Sequence, residues 1–414
     1  MHRISFSTIV AAVFVLSVAS TVAAPLAVAA GTPTSVQNRT LVVVELAGGN
    51  DGLNMVVPYS DPLYYKDRPT IAIPKTEVLP LGNGLGLNPA MKSLAGSWDA
   101  KDLAFILGVG YPHPNRSHFR SIDIWNTASD SNQYLNTGWI ARMFKVDPRP
   151  SSIIADSLII GEDHVGPLAG SNMRNLALNS ISGFVKSSRL ISGPTPPTAR
   201  NQPAAVPSPS ANPLGYIESV EADIRDAVTK LRRIQDNLPV FKTKFPATEF
   251  GRQVELAAQM LAAGRDGYVP VVKLTVRGFD THGGERLVQD HFLRELSDGL
   301  SAFRSAMKEK GLWDRVVVMT YSEFGRRVAE NFSKGTDHGT AGPMLVMGGN
   351  VRGGFYGREP SLTDLDHGDL KYTTDFRRVY ATIASRFFGI QSEEMLRSIF
   401  GHQFAPIPFL RSNG

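Results

Sequence analysis

The chain has 414 residues, 42% hydrophobic and 20% charged, with no cysteine and a formal net charge of +5. That composition is ordinary for a globular protein, and the length suits one large α/β domain or two smaller ones. It excludes a disulfide framework, a cysteine nucleophile and cysteine metal ligands. Acidic residues nearly balance basic ones and no long Lys/Arg block appears, so nucleic-acid binding is not expected.

At the N-terminus, Arg3 precedes the apolar stretch Ile9 to Ala19, and Ala27-Val28-Ala29 offers a small-x-small cleavage site. This layout predicts a secretory signal peptide over residues 1–30 and an exported mature chain, periplasmic or extracellular, with no stable membrane span after cleavage. A membrane anchor is the alternative, since Ile9 to Ala30 is long enough to span, although Ser20, Thr21 and Pro25 weaken it.

The β-branched run Leu41 to Leu46 reads as the first strand and leads into Gly48-Gly49-Asn50-Asp51-Gly52. Asn88-Pro89 is a helix-start signal for a helix towards Trp98. Leu103 to Val109 reads as a buried strand, followed by Asn115-Arg116-Ser117-His118-Phe119 and the amphipathic Ile122 to Trp125. Ser192 to Pro213 holds seven prolines among small polar residues and cannot bury enough surface to order itself. It is expected to be an excursion at 192–213 within a single domain spanning 31–414. Helices are expected over Ile217 to Ile234, Phe250 to Ala263, His291 to Met307 and from Thr374-Asp375 through Phe387. Val271 to Val276, Val316 to Tyr321 and Met344 to Met347 complete the strands. Strands alternating with helices predict an α/β/α sandwich with a mainly parallel sheet.

In such a sheet, loops at the carboxyl ends of the strands converge on one crevice. Here they carry Asp51, Asp280-Thr281-His282, Glu323 with Arg326, and Asp337-His338, each among glycines or directly past a strand. Carboxylates and imidazoles brought together form the ligand set of a divalent metal, zinc first among the candidates. Asp280, His282 and His338 are expected to share one ion, and Asp51 with Glu323 a weaker second. Asp51 could also be a plain Asn-Asp-Gly turn and Glu323 half of a structural Glu–Arg pair, while His291, close behind His282, could join the metal site or simply cap or pack. Ser117, between Arg116 and His118 at a helix start, reads as a nucleophile or as a simple N-cap. No G-x-S-x-G elbow, P-loop or G-x-G-x-x-G accompanies any strand.

These segments, together with Gly348 to Gly354, resemble the bacterial exported family called domain of unknown function 1501. That family in turn resembles the alkaline phosphatase and sulfatase superfamily. The resemblance implies an alkaline phosphatase-like domain with one or two divalent metals and a hydroxyl nucleophile. It matches Asp51 to the first acidic ligand, Ser117 to the nucleophile, Asp280 to the acid of the other metal, and His338 to that metal's late histidine. Two departures stand out. The histidine after Asp280 comes two residues on rather than four, and Phe324 occupies the place of a metal-binding histidine after Glu323. The formylglycine motif of sulfatases is missing around Ser117, where Phe119 and Ser121 replace its proline and arginine.

The resulting expectation is an exported metal-dependent hydrolase of phosphate or sulfate esters. Ser117 would attack, Arg116 or Arg326 would clamp the anion with Asn50 nearby, and His118 would carry a proton to the leaving group. The alternative is a non-catalytic relative that binds a metal or an anionic glycan in the cell envelope.

Overall fold

Leu41 to Val44 puts four consecutive large side chains on a strand whose faces alternate, so both faces need cover. The computed structural model describes residues 38–162, 164–171, 173–188 and 213–411. In it, strand β1 (Thr40–Ala47) lies near the middle of the main sheet. Its neighbours are β5 (Val271–Arg277) and β6 (Val316–Tyr321), both parallel to it. Beyond β5 come β3 (Ser157–Ile159) and β4 (Asn175–Ala177), again parallel. On the other side β7 (Gly342–Gly348) pairs antiparallel with both β6 and β2 (Leu103–Gly110). β8 (Gly354–Tyr356) and β9 (Thr374–Asp375) add parallel pairings to β2.

Two separate apolar layers follow from the alternation. Val42, Val44 and Leu46 pack with helices Glu249–Ala262 and Glu285–Glu309 on one face. Leu41 and Val43 pack with His118–Thr127, Trp139–Val146 and Phe376–Thr382 on the other. The expected α/β sandwich with a mainly parallel sheet is the observed fold. The described residues form one compact unit. The expected leader at 1–30 and nearly all of the Pro-rich stretch at 192–213 lie outside the described residues. Among the described residues, no helix is long and apolar enough to cross a membrane.

Two helices differ from expectation in their ends. The helix holding His291 starts at Glu285, directly after Gly284 in a left-handed conformation, so His291 sits well inside it. It is exposed and packs edge-on against Phe292. The Asn88-Pro89 start is real, but Met91 breaks the helical geometry, giving a 3-10 turn Pro89–Leu94 before Ala95–Asp99.

Candidate metal centre

Strand direction explains which residues meet. β1, β2, β5 and β6 all end on one edge of the sheet, delivering the loops with Asp51, Ser117-His118, Asp280-His282 and Glu323-Arg326. β7 runs the other way, so the loop that precedes it is on the same edge and brings Asp337-His338. The glycines of the first loop serve this convergence. Gly48 (φ 119°) and Gly49 (φ 84°) have backbones that side chains rarely adopt. A Cβ on Gly48 would lie 2.3 Å from the Asp280 amide nitrogen, and one on Gly49 2.4 Å from the Phe324 ring. The close approach is therefore to the protein's own loops rather than to a ligand.

Asp280, His282, His338 and His118 form one cluster. His338 Nε2 is 3.2 Å and His282 Nε2 3.1 Å from Asp280 Oδ1, and the two ring nitrogens are 3.0 Å apart. His118 Nε2 is 3.5 Å from Asp280 Oδ2. One donor atom each from His118, Asp280 and His338 all lie within 4.8 Å of one another. Phe324, in the place where a histidine was expected, is buried and packs against the rings of His118 and His338 at 5.0 and 4.4 Å. It is a platform for the imidazoles.

The tautomers decide what the cluster can hold. His118 Nδ1 lies 2.9 Å from Glu323 Oε1, and His338 Nδ1 lies 2.9 Å from the Arg116 carbonyl oxygen. Both partners are acceptors, so both Nδ1 atoms carry the proton. In neutral rings the Nε2 lone pairs then point at the Asp280 carboxylate. Lone pairs facing a carboxylate repel unless a cation lies among them. A metal-ligating imidazole usually has its far nitrogen pinned by a carboxylate or a backbone carbonyl, which forms the outer shell of the site. The residues present thus fit a divalent ion, which His118, Asp280 and His338 would hold with His282 alongside. Burial opposes ionisation of Asp280. The hydrogen bond and charge of Arg326 outweigh it, drawing the carboxyl down to about 2.

Several expected site residues are elsewhere occupied. Asp51 is fully buried; Arg68 reaches its two oxygens at 2.5 and 3.0 Å, and the Leu53 amide donates to Oδ1. Its lone pairs are used inside the protein, so the second metal site expected of Asp51 and Glu323 is not assembled. Glu323 is buried too, accepting from the Gly48 amide at 2.8 Å and from His118, which makes it a support for an imidazole. Arg326 does not face the crevice. Its guanidinium donates to the carbonyls of Gly48, Gly49, Phe279 and Thr336 and to Asp280, tying three loops together. Asn50 is buried as well, its amide oxygen accepting from Gln289 at 2.9 Å and its own side-chain nitrogen meeting Met55 sulfur. Ser117 is exposed at the N-cap position of the helix, yet its side chain makes no capping hydrogen bond.

Sequence reasoning missed Arg68 and Glu285. Glu285 Oε2 accepts from Thr336, and Oε1 has no partner unless the acid itself carries a proton to donate. Burial first, and then the neighbouring Asp51, push its carboxyl up to about 9, while the Arg68 guanidinium holds Asp51 below its ordinary value despite burial. Between pH 4.5 and 9 the folded state therefore holds one more proton here than the unfolded chain. Stability should fall across that window by up to about 1.4 kcal/mol per pH unit from this group. Glu285→Gln is expected to remove that slope, as measured by urea unfolding at pH 5, 7 and 8.5; an unchanged slope would show that Glu285 is ionised in the folded protein.

The sequence family described as "Protein of unknown function (DUF1501)" matches residues 218–405. That part of the chain is similar to this family. The matched span contains the loops of Asp280, Glu323 and His338, while the loops of Asp51 and Ser117 precede it. No protein of curated function matches the chain. Similar solved structures include Ps i-CgsB in complex with k-i-k-neocarrahexaose, at 11% identity and TM-score 0.42, covering 89% of this chain and 75% of that one. A protein in the alkaline phosphatase superfamily from Vibrio parahaemolyticus is similar at 10% identity and TM-score 0.38, over 89% and 71% of the two chains. The C-terminal periplasmic domain of EcEptC from Escherichia coli, in complex with Zn, is similar at 8% identity and TM-score 0.35, over 76% and 74%.

Proposed function

We propose that this protein is an exported metal-dependent hydrolase of phosphate or sulfate esters, working with one divalent ion, zinc before others. The observation that carries the reading is the convergence of imidazole Nε2 atoms on the Asp280 carboxylate with their Nδ1 protons turned away. His118, Asp280, His282 and His338 are the ligands, and His118 acts as a ligand in place of the proton carrier expected from the sequence. When bound, the ion supplies Lewis-acid neutralisation of charge on the transferred group. Ser117, whose hydroxyl is free of a capping role, is the nucleophile, and Arg116 contributes positive charge beside it. The expected second ion is set aside, because Asp51 is committed to Arg68.

The metal assignment is tested by elemental analysis. Purified mature protein should carry close to one equivalent of divalent metal, and Asp280→Ala and His338→Ala should each lose most of it while the circular dichroism spectrum stays unchanged. Full occupancy in both variants would sink the assignment. Export is tested by sequencing the N-terminus of the cell-produced protein, which should begin near Ala30 and be recovered outside the cytoplasm. An intact Met1 on membrane-bound material would favour an anchor. A non-catalytic reading, binding of a metal and an anionic glycan, draws support from the burial of Asp51, which removes one acid from the crevice. Metal-loaded protein inactive on a panel of aryl and sugar phosphates and sulfates would select it.

A further inference from the structure

Beside the cluster stands a pair of arginines that the metal assignment does not use in full. The segment Leu365 to Leu370 folds into a two-stranded hairpin, Leu365–Asp366 against Asp369–Leu370. Its two turn residues, His367 (φ 52°) and Gly368 (φ 91°), both have positive φ, the geometry of the tight hairpin turn. The turn leaves Asp369 only 3% exposed, flanked by two half-exposed guanidiniums. Arg116 Nη1 is 3.0 Å from Asp369 Oδ2, and Arg327 Nε is 3.5 Å from Oδ1. Oδ1 has no hydrogen-bond partner. Burial raises the Asp369 carboxyl even against the charges of Arg116 and Arg327.

Both arginines are fastened to the cluster through their backbones. The Arg116 carbonyl accepts the His338 Nδ1 proton at 2.9 Å, and the Arg327 amide donates to the Asp337 carbonyl at 3.1 Å. One carboxylate between two guanidiniums leaves a net positive charge. Among the described residues, neither guanidinium has another acceptor within hydrogen-bonding distance. A guanidinium offers five donors in a planar fork suited to tetrahedral oxyanions. Arg326, the adjacent residue, has spent its own donors on backbone carbonyls. The bland alternative is an ion-pair network that merely anchors the hairpin, and half-exposed pairs of that kind contribute about 0–1 kcal/mol.

We infer that Arg116 and Arg327, held apart by Asp369, form a receptor for a sulfate or phosphate oxyanion of the substrate at the rim of the cluster. The inference deepens the hydrolase reading by assigning the residues that select an anionic substrate, but the receptor needs no metal to bind. It can therefore fail or succeed on its own.

The test is isothermal titration of full-length mature protein, stripped of metal with a chelator, with inorganic sulfate and inorganic phosphate. Glucose 6-sulfate and glucose 6-phosphate then show which oxyanion is preferred. Wild type should bind at least one of the inorganic ions. Arg327→Ala and Arg116→Ala should each weaken that binding tenfold or more, and the double variant should abolish it. Arg327→Lys keeps the charge without the fork and should recover only part of the loss. Asp369→Asn adds net positive charge, so charge alone predicts tighter binding, whereas loss of the spacer predicts weaker binding, and weaker is expected. No binding by wild type, or unchanged affinity in a folded Arg327→Ala or Arg327→Lys protein, would overturn the receptor. Metal stoichiometry in the His338→Ala protein judges the hydrolase reading separately.

Discussion

Arg68→Ala is expected to destabilise the protein by about 3–5 kcal/mol, the usual effect of stranding one charge of a buried ion pair. Arg68 and Asp51 are both fully buried, and the guanidinium makes two contacts to the carboxylate. The same guanidinium donates to the carbonyls of Val328 and Arg327 at 2.8 Å each, so its loss also strips two backbone acceptors. Asp51 in turn caps the short helix Gly52–Met55 through the Leu53 amide. Removing Arg68 thus leaves a buried carboxylate beside Glu285 with no opposite charge against it. Asp51→Asn in the Arg68→Ala background should recover part of the stability, since the stranded charge disappears while the amide oxygen still caps. Urea unfolding at pH 7 measures both. A loss under 1 kcal/mol in Arg68→Ala would mean that water reaches this pair, and Asp51 would again be available to the crevice.

That pair also shows where the sequence was legible and where it was not. The β-branched runs at Leu41, Val271 and Val316 announce the strands β1, β5 and β6, because parallel strands covered on both faces need continuous apolar sequence. Those strands order the loops of Asp280, His282 and Glu323, and the expected α/β sandwich follows. His338 was harder to rationalise, since no strand precedes its loop. The antiparallel course of β7 supplies the reason: the loop before it lies on the edge where the parallel strands end. Loop position is readable from the sequence, but the direction in which a side chain points is not. Asp51 and Arg326 are at the right edge, yet both turn inward, one to Arg68 and one to a ring of carbonyls. Arg327, one residue on, is the half-exposed one. Arg68 and Asp369 carry no periodic signal, and only tertiary contact reveals them. The role of Phe324 as an aromatic floor under His118 and His338 belongs to the same class.

On the proposed hydrolase reading, in which Ser117 is the nucleophile, Ser117→Ala is expected to lower ester turnover by on the order of 10⁴-fold or more, with kcat carrying the loss. The geometry makes this variant cleaner than a serine at a helix start usually allows. A serine that caps a helix contributes about 1 kcal/mol through its hydroxyl, which would confuse stability with activity. Here the side chain makes no capping bond, and the residue is exposed. Its amide donates to Asn115 Oδ1 at 2.8 Å, a contact that alanine keeps. Melting temperature and metal content should therefore stay at the wild-type values. The neighbours on either side are tied to the cluster, Arg116 through the bond its carbonyl accepts from His338 and His118 through its 3.5 Å approach to Asp280. Turnover preserved in Ser117→Ala with metal still bound would transfer the attack to water and leave the ligand set intact. Turnover and metal lost together would instead show that the helix start itself has moved, which unchanged melting would contradict.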